Sequence, residues 1–514
     1  MSDGNAAQYF VSRHLADDRG SATAFIEAGE ASAQISYAEL EVETSRVVDL
    51  FKRNDIRREE RVAMLVLDEI AFPVIFWGSL KAGVIPIPLN TLLGTEVYAA
   101  ILEDCRARAL FVSAPLLPSI EGLLQAHSSI RNVFVIGREP SDSFLSFEAE
   151  IARSEPHPAV TANADETAFW LYSSGSTGQP KGVRHVHGSL RATADTYGAG
   201  VLAIDQDDII YSAAKLNFAY GLGNAMTFPM SVGATTVLYP GRPTPELVSQ
   251  LLAEHEPTIF CGVPTLYAAL LDHYERASST PSKSLRCCIS AGEALPEDVG
   301  KRWREVSGVD ILDGVGSTEM LHIFLSNRPG DVVYGSSGLP VPGYDLRLLD
   351  EAGEEAVTGA VGELLVNGPS AADGYWNQRE KTRATFEGVW TRTGDKFTRS
   401  EDGRYVYCGR TDDMFKVSGI WVSPFEVEQA LVSHPCVLEA AVVARQDRDK
   451  LDKPAAFVVL TEGEGTAELA EELRVLVKQR IGKWKYPRSI EFLSDLPRTA
   501  TGKIQRYKLK IRGR

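Results

Sequence analysis

Short apolar runs, each bounded by charges or turn residues and separated by stretches of helical periodicity, constrain this chain more than any other feature. Residues 61–67 (Arg-Val-Ala-Met-Leu-Val-Leu) are such a run. A continuous apolar segment of this length predicts a strand buried on both faces in a parallel sheet. A helix is expected over 70–82, a turn at Gly83, a strand over 84–88, a helix over 95–105, and strands over 109–113 and 133–136. Upstream, residues 35–51 start as a strand and continue as a helix. Ser36 and Glu39 have capping-box spacing, and Leu40, Val47, Val48, Leu50 and Phe51 supply an apolar face. Further strands are expected over 209–212, 235–238, 259–261, 285–292 and 309–312. Strands alternating with helices predict an α/β fold of doubly wound, mixed or parallel sheets. From about residue 335 short strands and Gly/Pro turns predict a β-rich subdomain, and residues 137–166 read as a surface segment.

A chain of 514 residues exceeds what one core supports. The pattern changes near Asp412, which divides the chain into a large domain, 1–411, and a small α+β domain, 412–514. In the latter, Ser423 and Glu426 repeat the capping-box spacing with Pro424 at the first helical position. Strands are expected over 437–444 and 455–460, a helix over 467–481, and a loop over 497–503 that carries Lys503. The formal charge of −16 argues against a nucleic-acid partner. Six cysteines with no CxxC pair, and a start with no signal peptide, predict reduced thiols in a cytoplasmic protein without structural zinc. The most apolar run, 70–80, contains Pro73 and is too short to span a membrane.

Directly after the apolar residues 169–172 comes Ser173-Ser174-Gly175-Ser176-Thr177-Gly178-Gln179-Pro180-Lys181-Gly182. Glycines let backbone N–H groups approach an anion, hydroxyls add donors, and a lysine adds a compact charge. Composition alone also allows a flexible Gly/Ser loop. Seven of these ten residues are Gly, Ser or Thr, which favours a polyphosphate grip. It is not a Walker A loop, because Pro180 precedes the lysine and Gly182 follows it. Loops 172–182, 290–293 and 313–319 are expected beyond the carboxyl ends of strands, where α/β sheets bind ligands.

These motifs, with Thr393-Gly-Asp395, Gly409-Arg410, Asp412 and Thr501-Gly-Lys503, follow the order and spacing of the acyl-adenylate-forming superfamily over nearly the whole chain. Residues 215–224 and 317–324 are most similar to benzoate-CoA ligases. The resemblance implies that an aromatic carboxylate attacks ATP to give an acyl adenylate and pyrophosphate, and that the thiol of coenzyme A then displaces AMP. On this basis Ser173, Ser174, Gly175, Ser176, Thr177, Gly178 and Lys181 would hold the phosphates. Thr318 would bind the α-phosphate and Glu319 a Mg²⁺ ion. Ala291, Gly292, Glu293, Asp313 and Gly314 would line the adenine. Asp395 with Arg410 would bind the ribose, and Lys503 would be the catalytic lysine. The small domain would turn about Asp412, bringing Lys416, Gly419 and Trp421 to a tunnel for the thiol.

By the same resemblance Asn217, Ala219, Tyr220, Gly221, Gly316, His322 and Ile323 line the acyl pocket. Asn217 departs from the aromatic residue that benzoate-CoA ligases carry there. An amide in an apolar slot needs a partner, which points to 2-aminobenzoate (anthranilate) or another ortho-substituted benzoate. Alternatives are plain benzoate and a stand-alone adenylating module that loads a carrier-protein thiol. Taken singly, Glu319, Asp395 and Lys503 would be ordinary solvated charges. His185 and His187 lack further ligands nearby and read as solvated or structural rather than metal-binding. Monomer and homodimer both remain open.

Overall fold

The computed structural model describes the chain except residues 1–3, 30–31, 125–128, 139–143, 175–179, 418–419, 447–451, 483, 499–503 and 513–514. Gly175, Ser176, Thr177, Gly178, Gly419 and Lys503 therefore lie outside the described residues, as do the side chains of Ser174, Lys416, Ile420 and Trp421. The chain forms two compact units. The first comprises Met1–Tyr334, Gly338–Asp345 and Val366–Thr391, and the second Gly335–Ser337, Leu346–Leu365 and Arg392–Arg514. Asp412 falls within the second unit.

The first unit is built on two large sheets. One is parallel throughout, in the order Ile85–Pro88, Arg61–Leu65, Ala109–Ser113, Asn132–Ile136, Leu145–Ser146. The helix Tyr37–Arg53 starts with the predicted capping box. The Ser36 hydroxyl accepts from the Glu39 N–H, and the Ser36 N–H donates to Glu39 Oε2 at 2.9 Å. Its apolar face packs on the helix Ala71–Ala82. The two helices meet where Gly78 has no side chain, since a Cβ there would overlap Val47. Gly83 ends the second helix at φ 71°, the left-handed conformation a glycine adopts at low cost.

The other sheet runs Leu339–Pro340, Ile323–Ser326, Ile311–Gly316, Cys287–Ala291, Ile259–Gly262, Ile209–Ser212, Thr235–Leu238, Thr23–Glu27, Ala33–Ser36. Its six middle strands, from Ile311–Gly316 to Thr23–Glu27, pair in parallel, and the edges are antiparallel. The helices Pro264–Ala277 and Glu297–Ser307 bury Tyr267, Tyr274 and Trp303 against it.

Three expectations are corrected here. The glycine-rich stretch does not follow a strand of either parallel sheet. Thr167–Ser174 and Pro180–Val186 are the arms of an antiparallel hairpin, joined by Gly374–Tyr375 in a separate three-stranded sheet. The register pairs Tyr172 with Gly182 and Ser173 with Lys181. Asp313 and Gly314 are not loop residues, because the strand Ile311–Gly316 runs through both. Residues 137–166 are not merely a surface segment. They include the strand Leu145–Ser146 and the helix Phe147–Ala152, which buries Phe147 and Ile151.

The β-rich portion, most of it in the second unit, is present as the strands Asp345–Leu349, Gly362–Asn367, Trp390–Arg399 and Tyr405–Arg410. Further on, Val437–Gln446, Asp452–Leu460 and Ser489–Phe492 form a sheet. The helices Pro424–Val432 and Ala467–Ile481 bury Val427, Leu431, Leu473 and Val477 on one face of it. Leu496 and Leu509 pack on the other face. Ser423 caps its helix through the Glu426 N–H, but the Glu426 carboxylate bonds Lys485 rather than closing a capping box.

Candidate active site

At the carboxyl end of the larger sheet the chain leaves Ile209–Ser212 and enters residues 213–218. The Leu216 N–H donates to the buried Asp68 at 3.1 Å, and Lys215 Nζ stands 3.8 Å from the other Asp68 oxygen. Gly221 packs so closely on this segment that a Cβ would overlap the Lys215 carbonyl oxygen. Gly223 is in contact with the His322 ring in the same way. His322 is buried beside Phe228, with ring centroids 4.5 Å apart, and beside Tyr197 and Tyr220. Burial pushes its pKa down to about 3, so the ring is neutral and Nε2 donates to the Tyr220 carbonyl at 3.2 Å. The Tyr220 hydroxyl donates to the Gly262 and Ile289 carbonyls, each at 3.1 Å. Ile323 fills the space over Gly314, and a Cβ on Gly316 would stand 2.6 Å from the His322 carbonyl. The described residues thus bring the predicted acyl-pocket stretches 216–221 and 316–323 together. Several polar atoms there are buried without a partner among the described residues: Asn217 Oδ1, both amide atoms of Asn224, His322 Nδ1 and Asp313 Oδ1. Burial raises the Asp313 pKa well above the usual carboxylate range.

The turn from Ser317 to Leu321 is tight. The Met320 N–H donates to Ser317 Oγ at 3.2 Å, and the Leu321 N–H to the Thr318 carbonyl at 3.2 Å. Leu321 is buried at φ 64°, a left-handed conformation that costs a branched residue about 1–2 kcal/mol. The turn is tied to the hairpin Thr167–Val186 by His185, whose Nε2 donates to the Thr318 carbonyl at 2.9 Å. Burial lowers the His185 pKa to about 4, and the ring stacks on Phe169. Of the sequence alternatives for this histidine, the structural one holds, and it is structural at the site itself.

Glu319 and Lys181 meet through Tyr375. The Tyr375 hydroxyl donates to Glu319 Oε1 at 2.7 Å. Lys181 Nζ lies 3.4 Å from that hydroxyl and 3.7 Å from the same carboxylate oxygen. Glu319 Oε2 has no partner among the described residues. A partly exposed carboxylate with one oxygen open is a hard donor suited to Mg²⁺, which favours one or two carboxylates together with phosphate oxygens. Tyr375 and His185 were not picked out as site residues from the sequence. No motif marks them, because their roles arise only once the hairpin and the turn are neighbours. Tyr172 is another such residue. Its hydroxyl donates to Asp104 at 2.5 Å, fixing the hairpin arm to the helix Thr95–Cys105.

Ala291 ends its strand in the core, and Gly292, at φ 94°, turns the chain so that Glu293 is exposed. In the second unit Asp395 and Arg410 are register partners on adjacent strands, with Arg410 Nη1 2.9 Å from Asp395 Oδ1. Gly394, at φ 70°, lets the guanidinium pass close to the backbone. The residues flanking Lys503 are anchored. Arg498 bridges Ile504, the Gln505 N–H donates to the Pro497 carbonyl at 2.7 Å, and Arg506 forms a bidentate pair with the buried Glu428. Asp412 is exposed, and its carbonyl lies 3.5 Å from Lys510 Nζ.

Known proteins are similar to this chain over most of its length. The AMP-binding enzyme family model matches residues 12–376, and the AMP-binding enzyme C-terminal domain model matches 426–503. The chain therefore belongs to the AMP-binding, acyl-adenylate-forming superfamily. It is 51% identical over 509 residues to the benzoate–CoA ligase of Thauera aromatica, covering 98% of this chain and 95% of that protein. It is 49% identical over 513 residues to a 4-hydroxybenzoate–CoA/benzoate–CoA ligase of Rhodopseudomonas palustris, covering 99% and 94% respectively. An anthranilate CoA ligase solved in complex with anthranoyl-AMP superposes with a TM-score of 0.93 at 40% identity, covering 98% of this chain and 96% of that one. Among the described residues no helix is long and apolar enough to cross a membrane.

Proposed function

We propose that this protein joins an ortho-substituted benzoate, 2-aminobenzoate (anthranilate) in the first instance, to coenzyme A. The chain is an AMP-forming acid–thiol ligase. An aromatic acid is adenylated by ATP with loss of pyrophosphate, and the aroyl group passes to the thiol with loss of AMP. The observation that carries the choice of acid is the Asn217 amide. It is buried, and its oxygen has no partner among the described residues. An ortho amino or hydroxyl group supplies the missing donor, whereas an unsubstituted ring leaves the oxygen unsatisfied. A second reading, benzoate itself, is favoured by the two relatives near 50% identity, both benzoate–CoA ligases by name. Measuring kcat/KM for both acids with the wild type and Asn217→Phe separates them. The ortho-contact reading expects the substitution to move preference toward benzoate, and an unchanged preference sinks it.

The residues divide the work as follows. In-line displacement at the α-phosphorus needs positioning and charge neutralisation more than proton transfer. The hairpin, with Lys181, holds the departing pyrophosphate. Thr318 hydrogen-bonds the α-phosphate. Glu319 would hold Mg²⁺, which when bound neutralises phosphate charge. Ala291, Gly292, Glu293, Asp313 and Gly314 bound the adenine, and Asp395 accepts the ribose hydroxyls with Arg410 fixing its carboxylate. Lys503 places its charge between the carboxylate and the α-phosphate as negative charge builds. For the second half-reaction the chain turns about Asp412, and the stretch 416–421, with Lys416, Gly419 and Trp421, serves the thiol. Asp412→Pro should slow thioester formation at least about tenfold more than pyrophosphate release, because proline fixes φ at the proposed pivot. Equal loss of both half-reactions would remove the pivot from the scheme.

A further inference from the structure

Residues 370–376 form a strap that no nucleotide motif includes, and it is fastened to two motifs at once. On one side the Ser370 hydroxyl donates to the Met320 carbonyl at 2.7 Å and the Ala372 N–H to the Glu319 carbonyl at 2.8 Å. On the other, the Asp373 N–H donates to the Arg184 carbonyl at 2.9 Å and the Trp376 N–H to the Gly182 carbonyl at 2.8 Å. Tyr375 sits between them and is 5% exposed. Its ring packs on Phe386, with centroids 5.6 Å apart, and Lys181 Nζ lies 4.5 Å from the ring centre. Its hydroxyl takes the Lys181 ammonium on its oxygen and gives its own proton to Glu319 Oε1.

We infer that Tyr375 is a positioning residue, whose hydroxyl orients the Glu319 carboxylate for the Mg²⁺–nucleotide complex and links it to Lys181. The geometry separates two tasks for one carboxylate. Oε1 is committed to Tyr375, so the side chain has one preferred rotamer and Oε2 is left to the ion. A carboxylate held in this way loses little rotational freedom when the ion binds. The same hydroxyl keeps Lys181 and Glu319 together through a neutral bridge. Because their separation is 3.7 Å rather than that of a tight ion pair, each remains available to a ligand. The inference rests on the assignment of Glu319 to Mg²⁺ made above.

Tyr375→Phe tests it, because the ring and its packing stay and only the hydroxyl goes. Two titrations are compared with the wild type: pyrophosphate release against Mg²⁺ at fixed ATP and acid, and the melting temperature against Mg²⁺ at fixed ATP without acid. The Mg²⁺ midpoint should rise roughly tenfold in both titrations, as expected for losing a hydrogen bond to a charged group. The kcat at saturating Mg²⁺ should stay within about twofold, since no group that touches the reacting atoms is lost. ATP with a chelator should stabilise both proteins equally. Thr385→Val removes a hydroxyl 3.4 Å from that of Tyr375 and should leave the midpoint in place. An unmoved midpoint in Tyr375→Phe, a kcat loss that Mg²⁺ does not restore, or an equal shift in Thr385→Val would each overturn the inference. Absence of any Mg²⁺ dependence in the wild type would instead overturn the Glu319 assignment beneath it.

Discussion

The two parallel sheets of the first unit are built alike, yet their carboxyl ends are finished differently. At the end of the five-stranded sheet the buried polar groups satisfy one another. The Leu67 N–H donates to Ser113 Oγ at 3.0 Å, Ser113 donates to Glu69 at 2.5 Å, and the Ile70 N–H donates to Glu27 at 2.8 Å. On the helix Ala71–Ala82, Lys81 is 1% exposed and is enclosed by Glu41 at 2.7 Å and Ser45 at 3.0 Å. At the end of the nine-stranded sheet, Asn217, Asn224, Asp313 and His322 each keep a buried atom without a partner among the described residues. An unsatisfied buried polar group costs about 1–3 kcal/mol. The second sheet carries that cost at its carboxyl end, where the proposed acyl and adenine sites lie.

The largest effect should come from the open end. Gly221→Val forces a side chain onto the Lys215 carbonyl and displaces the segment that carries Asn217. Misplacing the acid by about 1 Å lowers kcat/KM for the aromatic acid on the order of a hundredfold. Because the ATP contacts are assigned to other segments than 215–221, the KM for ATP should change much less. A comparable loss in ATP affinity would break the distinction between an acyl end and a nucleotide region.

The five-stranded sheet should answer in stability instead of rate, at its opposite end, where Lys81 lies in the last turn of the helix Ala71–Ala82. Glu41→Ala leaves the Lys81 ammonium buried and unpaired, which destabilises by about 3–5 kcal/mol. Denaturant unfolding should show the loss, while the surviving folded enzyme should keep its preference among acids. A change in acid preference would mean that the first sheet is not a passive support.

Which parts could be read in advance follows from what each depends on. The parallel strands around Val62–Leu65 and Ala109–Ser113, the helix Thr95–Cys105 and the Ser36 cap depend on local pattern, and they stand where that pattern predicts. The glycine-rich stretch was misplaced because an apolar run before a turn looks alike in a parallel sheet and in a hairpin. Only the pairing of Tyr172 with Gly182 separates the two cases. Asp313 and Gly314 read as loop because Gly and Asp favour turns, but neighbours on both sides hold them in a strand. Tyr375 and His185 carry no local signal. Their partners are 56 and 133 positions away, so they become visible only in the folded chain.

The smallest effect, and the finest test of the contrast, concerns Glu69. Burial, together with the charges of Glu27, Glu148 and Asp68 and against the Ser113 hydrogen bond, raises its pKa to about 7. In the unfolded chain the group titrates near 4.5. Between these values the folded protein holds a proton that the unfolded chain has released, so unfolding gives up a proton. Stability from this group is therefore full below about pH 4.5, falls as pH rises toward 7, and is constant above it. The span corresponds to on the order of 3 kcal/mol. Glu69→Gln keeps a side-chain oxygen for the Ser113 hydroxyl and cannot ionise. The variant should melt above the wild type at pH 8, and the gap should close toward pH 5. Parallel melting profiles would show that Glu69 is solvated and charged in the folded protein, and that the five-stranded end is not sealed as its hydrogen bonds indicate.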